Sequence, residues 1–168
     1  MRRIPTAAAR GVMEVDWLLF GELCRALALR IAHDYQPEVV LGVAKAGVIP
    51  GVVVASILQV DFASMVVTRT DADEDPVLVS GPPATIRGRR VLIVDETCDT
   101  GSTMRLAISE VRALQPAQVR TAVSIKTGDY APDYHAFETE NFIVLPWDRE
   151  IIRNGELVMR PEYAARLT

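Results

Sequence analysis

At 168 residues the chain has the size of one ordinary domain, long enough to bury a core of its own. Apolar residues make up 49% and charged residues 24%, a globular balance rather than a disordered one. With 18 Lys and Arg against 22 Asp and Glu the net charge is −4, so no electrostatic footprint for nucleic acid is present. Cys24 and Cys98 lack metal-ligand spacing, and their scarcity suits a reducing cytoplasm. No apolar stretch after Met1-Arg2-Arg3 is long enough for a secretory signal. The most apolar segment, 48–58, is broken by Pro50-Gly51 and is too short to span a membrane. A soluble cytoplasmic protein with no membrane partner is the expectation.

Residues 1–15 read as a lead-in. Asp16 then stands where it can cap a helix carrying Trp17, Phe20, Leu23, Cys24, Leu27 and Ile31 on one side. Tyr35-Gln36-Pro37 ends that helix, because the residue before a proline disfavours helical geometry. Residues 38–43 follow as a buried strand, then the loop Ala44-Lys45-Ala46-Gly47, then an apolar helix over 48–58 with Pro50 in its first turn. Gly42 and Gly47 have the spacing of the glycines in a nucleotide-triphosphate loop. Val48-Ile49 stands where that loop requires Lys-Ser/Thr, and the reading is rejected. A tight loop with one cation, Lys45, remains. Phe62 to Arg69 forms the next strand, and the acidic run 71–75 reads as a solvated hairpin tip.

The stretch from Val91 to Thr103 is the most particular in the chain. Val91-Leu92-Ile93-Val94 is a strand buried on both faces, as in a parallel sheet. Met104, Ala107, Ile108, Val111 and Leu114 then recur at helical spacing. The polar turn between strand and helix makes an anion seat, since the first amides of a helix have no partners within it and its dipole favours negative charge. Ser102 and Thr103 add hydroxyl donors, while Asp95, Glu96 and Asp99 can accept from hydroxyls, take a proton or attract a metal. A phosphate seat beside acceptor carboxylates suggests a phosphorylated sugar. Val119 to Lys126 is the next strand, 130–140 reads as irregular and polar, and 141–148 gives a short last strand and turn. Residues 149–168 form a charged tail with a short helix after Pro161. Alternating strands and helices predict an α/β fold, a parallel sheet with helices on both faces, whose ligands gather at the carboxyl ends of the strands. Both loops and Lys126 fall at that edge.

The run Asp95-Glu96-Thr97-Cys98-Asp99-Thr100-Gly101-Ser102-Thr103 resembles the phosphoribosyl-pyrophosphate signature of the type I phosphoribosyltransferases. It matches at Asp95, Asp99, Thr100, Gly101 and Thr103, and carries Glu96 where the family usually has a second Asp. The loop Ala44-Lys45-Ala46-Gly47 is similar in place to the family's pyrophosphate loop, Ser-Arg-Gly-Gly in its xanthine-guanine members. Lys126, Phe142-Ile143 and Pro146-Trp147-Asp148 resemble, in order and spacing, the base-binding residues of the 6-oxopurine branch.

The resemblance implies a single Rossmann-like domain with a mobile flap near 70–85 that closes over the site. It implies transfer of a phosphoribosyl group from phosphoribosyl pyrophosphate to guanine, xanthine or hypoxanthine in purine salvage. Thr100, Gly101, Ser102 and Thr103 would hold the 5-phosphate, and Asp95 and Glu96 the ribose hydroxyls. Lys45, Ala46 and Gly47 would hold pyrophosphate, with Asp99 as general base. Lys126 would reach the exocyclic oxygen, Phe142 would stack on the base, and Ile143 and Asp148 would flank it. Mg²⁺ is the implied cofactor, with Asp95, Glu96 or Asp148 as candidate contacts, and a homo-oligomer is the implied assembly. The alternative is a regulatory protein that senses phosphoribosyl pyrophosphate without turning it over. Asp99 and Lys126 favour the enzyme, since a sensor needs neither a base nor a nucleobase contact.

Overall fold

The structure, a computed structural model, describes residues 11–69 and 75–167. Residues 1–10 of the expected lead-in, residues 70–74 of the expected flap and acidic run, and Thr168 lie outside the described residues. In chain order the elements are β1 (Val12–Glu14), α1 (Trp17–Asp34), β2 (Val39–Ala44), α2 (Val48–Leu58), β3 (Asp61–Thr68), β4 (Val77–Ser80), β5 (Arg90–Cys98), α3 (Ser102–Ala113), β6 (Gln118–Lys126), β7 (Tyr134–Glu138), β8 (Phe142–Val144), β9 (Glu150–Arg153), β10 (Glu156–Met159) and α4 (Pro161–Leu167).

The main sheet has six strands in the order β4-β3-β2-β5-β6-β7. All its pairings are parallel except β3 with β4. The apolar runs read from the sequence fill both faces. Val40, Leu92, Val94 and Ala122 pack against α1 and α2 through Leu27, Ala28, Ile31, Val54 and Ala55. Val39, Leu41, Val91, Ile93 and Val123 pack against α3 through Met104, Ala107 and Val111. Helices therefore cover both faces, as expected of a sheet with no solvated side.

The chain reverses direction across the sheet between β2 and β5. From β2 it winds outward to β3 and β4, then returns to lay β5 on the other side of β2. The carboxyl ends of two such neighbours diverge, and the crevice between them is where an open α/β sheet binds its ligand. β2 pairs with β5 only as far as Gly42↔Val94, whereas β6 follows β5 to Cys98↔Lys126. Asp95 is the first residue of β5 released on the β2 side.

Three segments differ from the sequence reading. Residues 134–138, expected to be irregular, form the edge strand β7. Tyr-His-Ala-Phe-Glu shows no apolar run, and the strand is held by its parallel ladder to β6 and by one buried anchor, Tyr134. Residues 12–14, expected in the lead-in, pair in parallel with β8 outside the main sheet. The expected charged tail is in part a hairpin, β9 with β10, turning at Asn154 and Gly155, both at positive φ (53° and 84°). Asn-Gly is a strong hairpin signal of that kind. Within the expected flap, 77–80 is an antiparallel edge strand and 84–86 a single 3₁₀ turn.

Candidate active site

Two of the three long helices begin at the crevice without a side-chain cap. At α1 the Asp16 carboxylate accepts from Leu19 N at 2.7 Å. Gly47 precedes α2 and Gly101 precedes α3, neither can cap through a side chain, and neither helix has an acid in its first turn. In α2 the first amides are taken within the loop, Val48 N by Lys45 O at 3.3 Å and Ile49 N by Ala46 O at 3.1 Å, which leaves the start of α3 as the helix end suited to an anion.

Gly101 sits at φ +76°, a conformation that side-chain-bearing residues rarely adopt. A Cβ there would also overlap the ring of Tyr130, which lies directly over it. The segment after β6 thus folds back onto the β5–α3 turn. Thr127 N donates to Cys98 O at 2.8 Å, and Tyr130 N to Asp99 O at 3.2 Å. A Cβ at Gly128 would collide with the Asp99 carboxylate. Arg105 closes the far side, donating to Thr100 O at 2.8 Å with its guanidinium 5.1 Å from the Tyr130 ring centre. The turn is held by neighbours on both sides.

The loop 44–47 meets Asp95 in the same way. A Cβ on Gly47 would lie 2.7 Å from Asp95 Oδ1 and 2.6 Å from Val43 O, so only glycine lets α2 start this close to β5. Asp95 Oδ1 also accepts from Glu96 N at 2.9 Å.

Residues 95–104, with Arg69, Thr127 and Asn141-Phe142-Ile143, line a cavity of about 190 Å³. Asp95, Glu96, Asp99 and the turn 100–103 therefore share one space with Phe142 and Ile143. Arg69, just past β3, reaches across to α3, where its guanidinium donates to Ser102 Oγ and, at 3.1 Å, to Thr103 Oγ1. Sequence reading passed over Arg69. Its signal was its place, a lone cation where a parallel strand ends. Thr127, Tyr130 and Asn141 were likewise unremarked, because only the folded loops bring them to the turn.

The other expected residues stand apart from the cavity lining. Lys45 and Ala46 are in the loop beside Asp95. Lys126 donates to Glu138 Oε1 at 2.5 Å. Both Asp148 oxygens are engaged, Oδ2 by Tyr163 OH at 2.6 Å and Oδ1 by Arg160 at 2.9 Å, which ties α4 to the end of the β8 segment. Phe142 is 4% exposed, with the Tyr163 ring edge-on at 5.6 Å and Arg166 4.5 Å from its ring centre. Cys98 lines the cavity, but burial, followed by the charges of Asp95 and Asp99, pushes its thiol up to about 12. A thiol so raised stays protonated and packs rather than attacks.

An uncapped helix start, three carboxylates and the loop before a second helix meet around one crevice, on the fold of the type I phosphoribosyltransferases. Residues 15–154 match the phosphoribosyl transferase domain, and the chain belongs to that family and is a phosphoribosyltransferase. It is 26% identical over 158 residues to the xanthine-guanine phosphoribosyltransferase of Nitratidesulfovibrio vulgaris, covering 91% of this chain and 94% of that protein. It is 32% identical over 95 residues to human hypoxanthine-guanine phosphoribosyltransferase, 52% of this chain and 44% of that one. Among solved structures, the purine phosphoribosyltransferase of Pyrococcus horikoshii superposes with a TM-score of 0.76 at 30% identity, covering 86% of this chain and 99% of the other. No helix among the described residues is long and apolar enough to cross a membrane.

Proposed function

We propose that the protein transfers the phosphoribosyl group of phosphoribosyl pyrophosphate to a 6-oxopurine, giving the nucleoside 5′-monophosphate and pyrophosphate. One observation carries this: the uncapped start of α3, the carboxylates Asp95, Glu96 and Asp99, and the apolar pair Phe142-Ile143 line one cavity. The 5-phosphate takes the amides and hydroxyls of Thr100 to Thr103, with the Arg69 guanidinium already drawn to that seat. Asp95 and Glu96 accept from the ribose hydroxyls, and the loop 44–47 beside them takes pyrophosphate. Lys126, Phe142, Ile143 and Asp148 serve the base end, Lys126 through the exocyclic oxygen.

The bond from the anomeric carbon to the pyrophosphate oxygen breaks as a purine nitrogen bonds to that carbon. The pair of electrons leaves with pyrophosphate, and the purine's proton passes to Asp99. Holding both phosphate ends in line contributes most of the rate, and the proton transfer adds roughly 10²–10⁴-fold. Among the described residues no group of three or more His, Cys, Asp or Glu forms a metal cage. Two adjacent carboxylates at an open edge suit Mg²⁺, which binds through one or two carboxylates together with substrate oxygens. When bound, Mg²⁺ would neutralise charge on the departing pyrophosphate.

A homo-oligomer is part of this reading, with Val52 and Ile57 of α2, 42% and 44% exposed, as an apolar face for a second copy. Both cysteines are free and buried, in keeping with a cytoplasmic setting. Incubation with Mg²⁺, phosphoribosyl pyrophosphate and a panel of bases should yield nucleotide and pyrophosphate with a 6-oxopurine. Calorimetric binding of the donor with no product from any base would sink this reading in favour of a sensor.

A further inference from the structure

Lys126 closes β6, Glu138 closes β7, and the two are register partners across that parallel pair. Such partners put their side chains on the same face of the sheet. The Lys126 ammonium lies 2.5 Å from Glu138 Oε1, with 16% of the lysine side chain exposed against 56% of the glutamate. The lysine therefore runs sideways, toward the edge strand. It is not among the residues lining the cavity, although Thr127, the next residue, is. The hydrogen bond from Lys126 holds the Glu138 carboxyl below the usual range, so at neutral pH the ammonium faces an ionised acceptor. An ionised carboxylate is a stronger partner than a neutral carbonyl oxygen. An ammonium on a flexible stem can exchange one for the other by rotation alone.

We propose that Glu138 is a positioning residue that latches Lys126, holding its ammonium out of the cavity until a base's exocyclic oxygen replaces the carboxylate. This rests on the reading of Lys126 as a base contact. Glu138 then sets the threshold for base recognition without touching base or donor, and its effect is confined to the base end of the site.

The test uses Glu138→Gln and Lys126→Met, singly and together, in the full chain. Two quantities are read: KM for guanine and hypoxanthine with Mg²⁺ and phosphoribosyl pyrophosphate, and the calorimetric Kd for guanosine 5′-monophosphate, which needs no turnover. Glu138→Gln should lower the base KM and the nucleotide Kd by about two- to fivefold, the range open to an ion pair with an exposed partner. KM for the donor should not move, and in the Lys126→Met background Glu138→Gln should change nothing. A Kd that is unchanged or raised by Glu138→Gln overturns the latch. A nucleotide Kd untouched by Lys126→Met overturns the base contact itself, and the latch with it.

Discussion

Asp99 shows how much of this site depends on single residues. Its backbone carbonyl accepts from Tyr130 N, and its carboxylate fills the space that a side chain at Gly128 would need. It is therefore presented to the cavity by its neighbours and not by its own rotamer preference. Asp99→Asn keeps that shape and removes the proton acceptor. Turnover should fall by ~10²–10⁴-fold, while calorimetry should find donor affinity nearly intact. Equal turnover of mutant and parent would remove Asp99 from its role. Arg69 makes the opposite case, a charge with no proposed chemistry of its own. Arg69→Ala should raise the donor's Kd by roughly tenfold or more, the usual loss for a hydrogen bond to a charged group. Phe142→Ala should raise KM for the base more than KM for the donor. Because Phe142 is 4% exposed, thermal melting must accompany that measurement. Truncating a buried Phe costs ~3–5 kcal/mol in stability, and Phe142→Leu is the milder control.

At the scale of elements, the three long helices divide by how they start. α1 is finished by its own residue, and Asp16→Ala should cost about 1 kcal/mol in denaturant unfolding with no change in donor affinity. α3 starts from a glycine that no other residue can replace without strain. Gly101→Ala should cost ~1–2 kcal/mol for the left-handed backbone alone. It should also weaken donor binding, since a Cβ there displaces Tyr130 and with it the Thr100–Thr103 seat. A Gly101→Ala protein that binds donor normally would show that the seat is elsewhere. Legibility follows the same division. Asp16 and the strand–turn–helix at 91–114 announce themselves by periodicity and capping chemistry. β7 does not, because an edge strand needs only its ladder and a single anchor. The β9–β10 hairpin did carry a local signal, Asn154-Gly155, amid charged residues that read as a tail.

At the scale of the whole molecule, burial raises five acids among the described residues in the same direction: Cys24, Tyr35, Cys98, Tyr130 and Tyr134. Burial pushes Cys24 up to about 11, and Cys98 and Tyr35 up to about 12. Between the ordinary value for a thiol, 9.0, and those values the folded chain keeps protons that the unfolded chain releases. Stability is then fully present below about pH 9 and falls as pH rises, because the unfolded state binds fewer protons there. The urea midpoint should drop between pH 8 and pH 10.5, and the drop should be shallower in Cys98→Ala. A midpoint flat across that range would mean that these groups titrate freely in the fold.

Local chemistry was written into the chain: apolar runs long enough for buried strands, a glycine where the turn into α3 begins, and carboxylates beside it. Those are properties of neighbours along the backbone, so periodicity and turn chemistry expose them. Tertiary structure alone decided that β2 and β5 part at Asp95, that Arg69 reaches the α3 hydroxyls, and that Lys126 is held by Glu138 while Asp148 is held by Arg160 and Tyr163. Each of these is a relation between residues apart in sequence, fixed by strand order and packing, and none leaves a periodic trace along the chain.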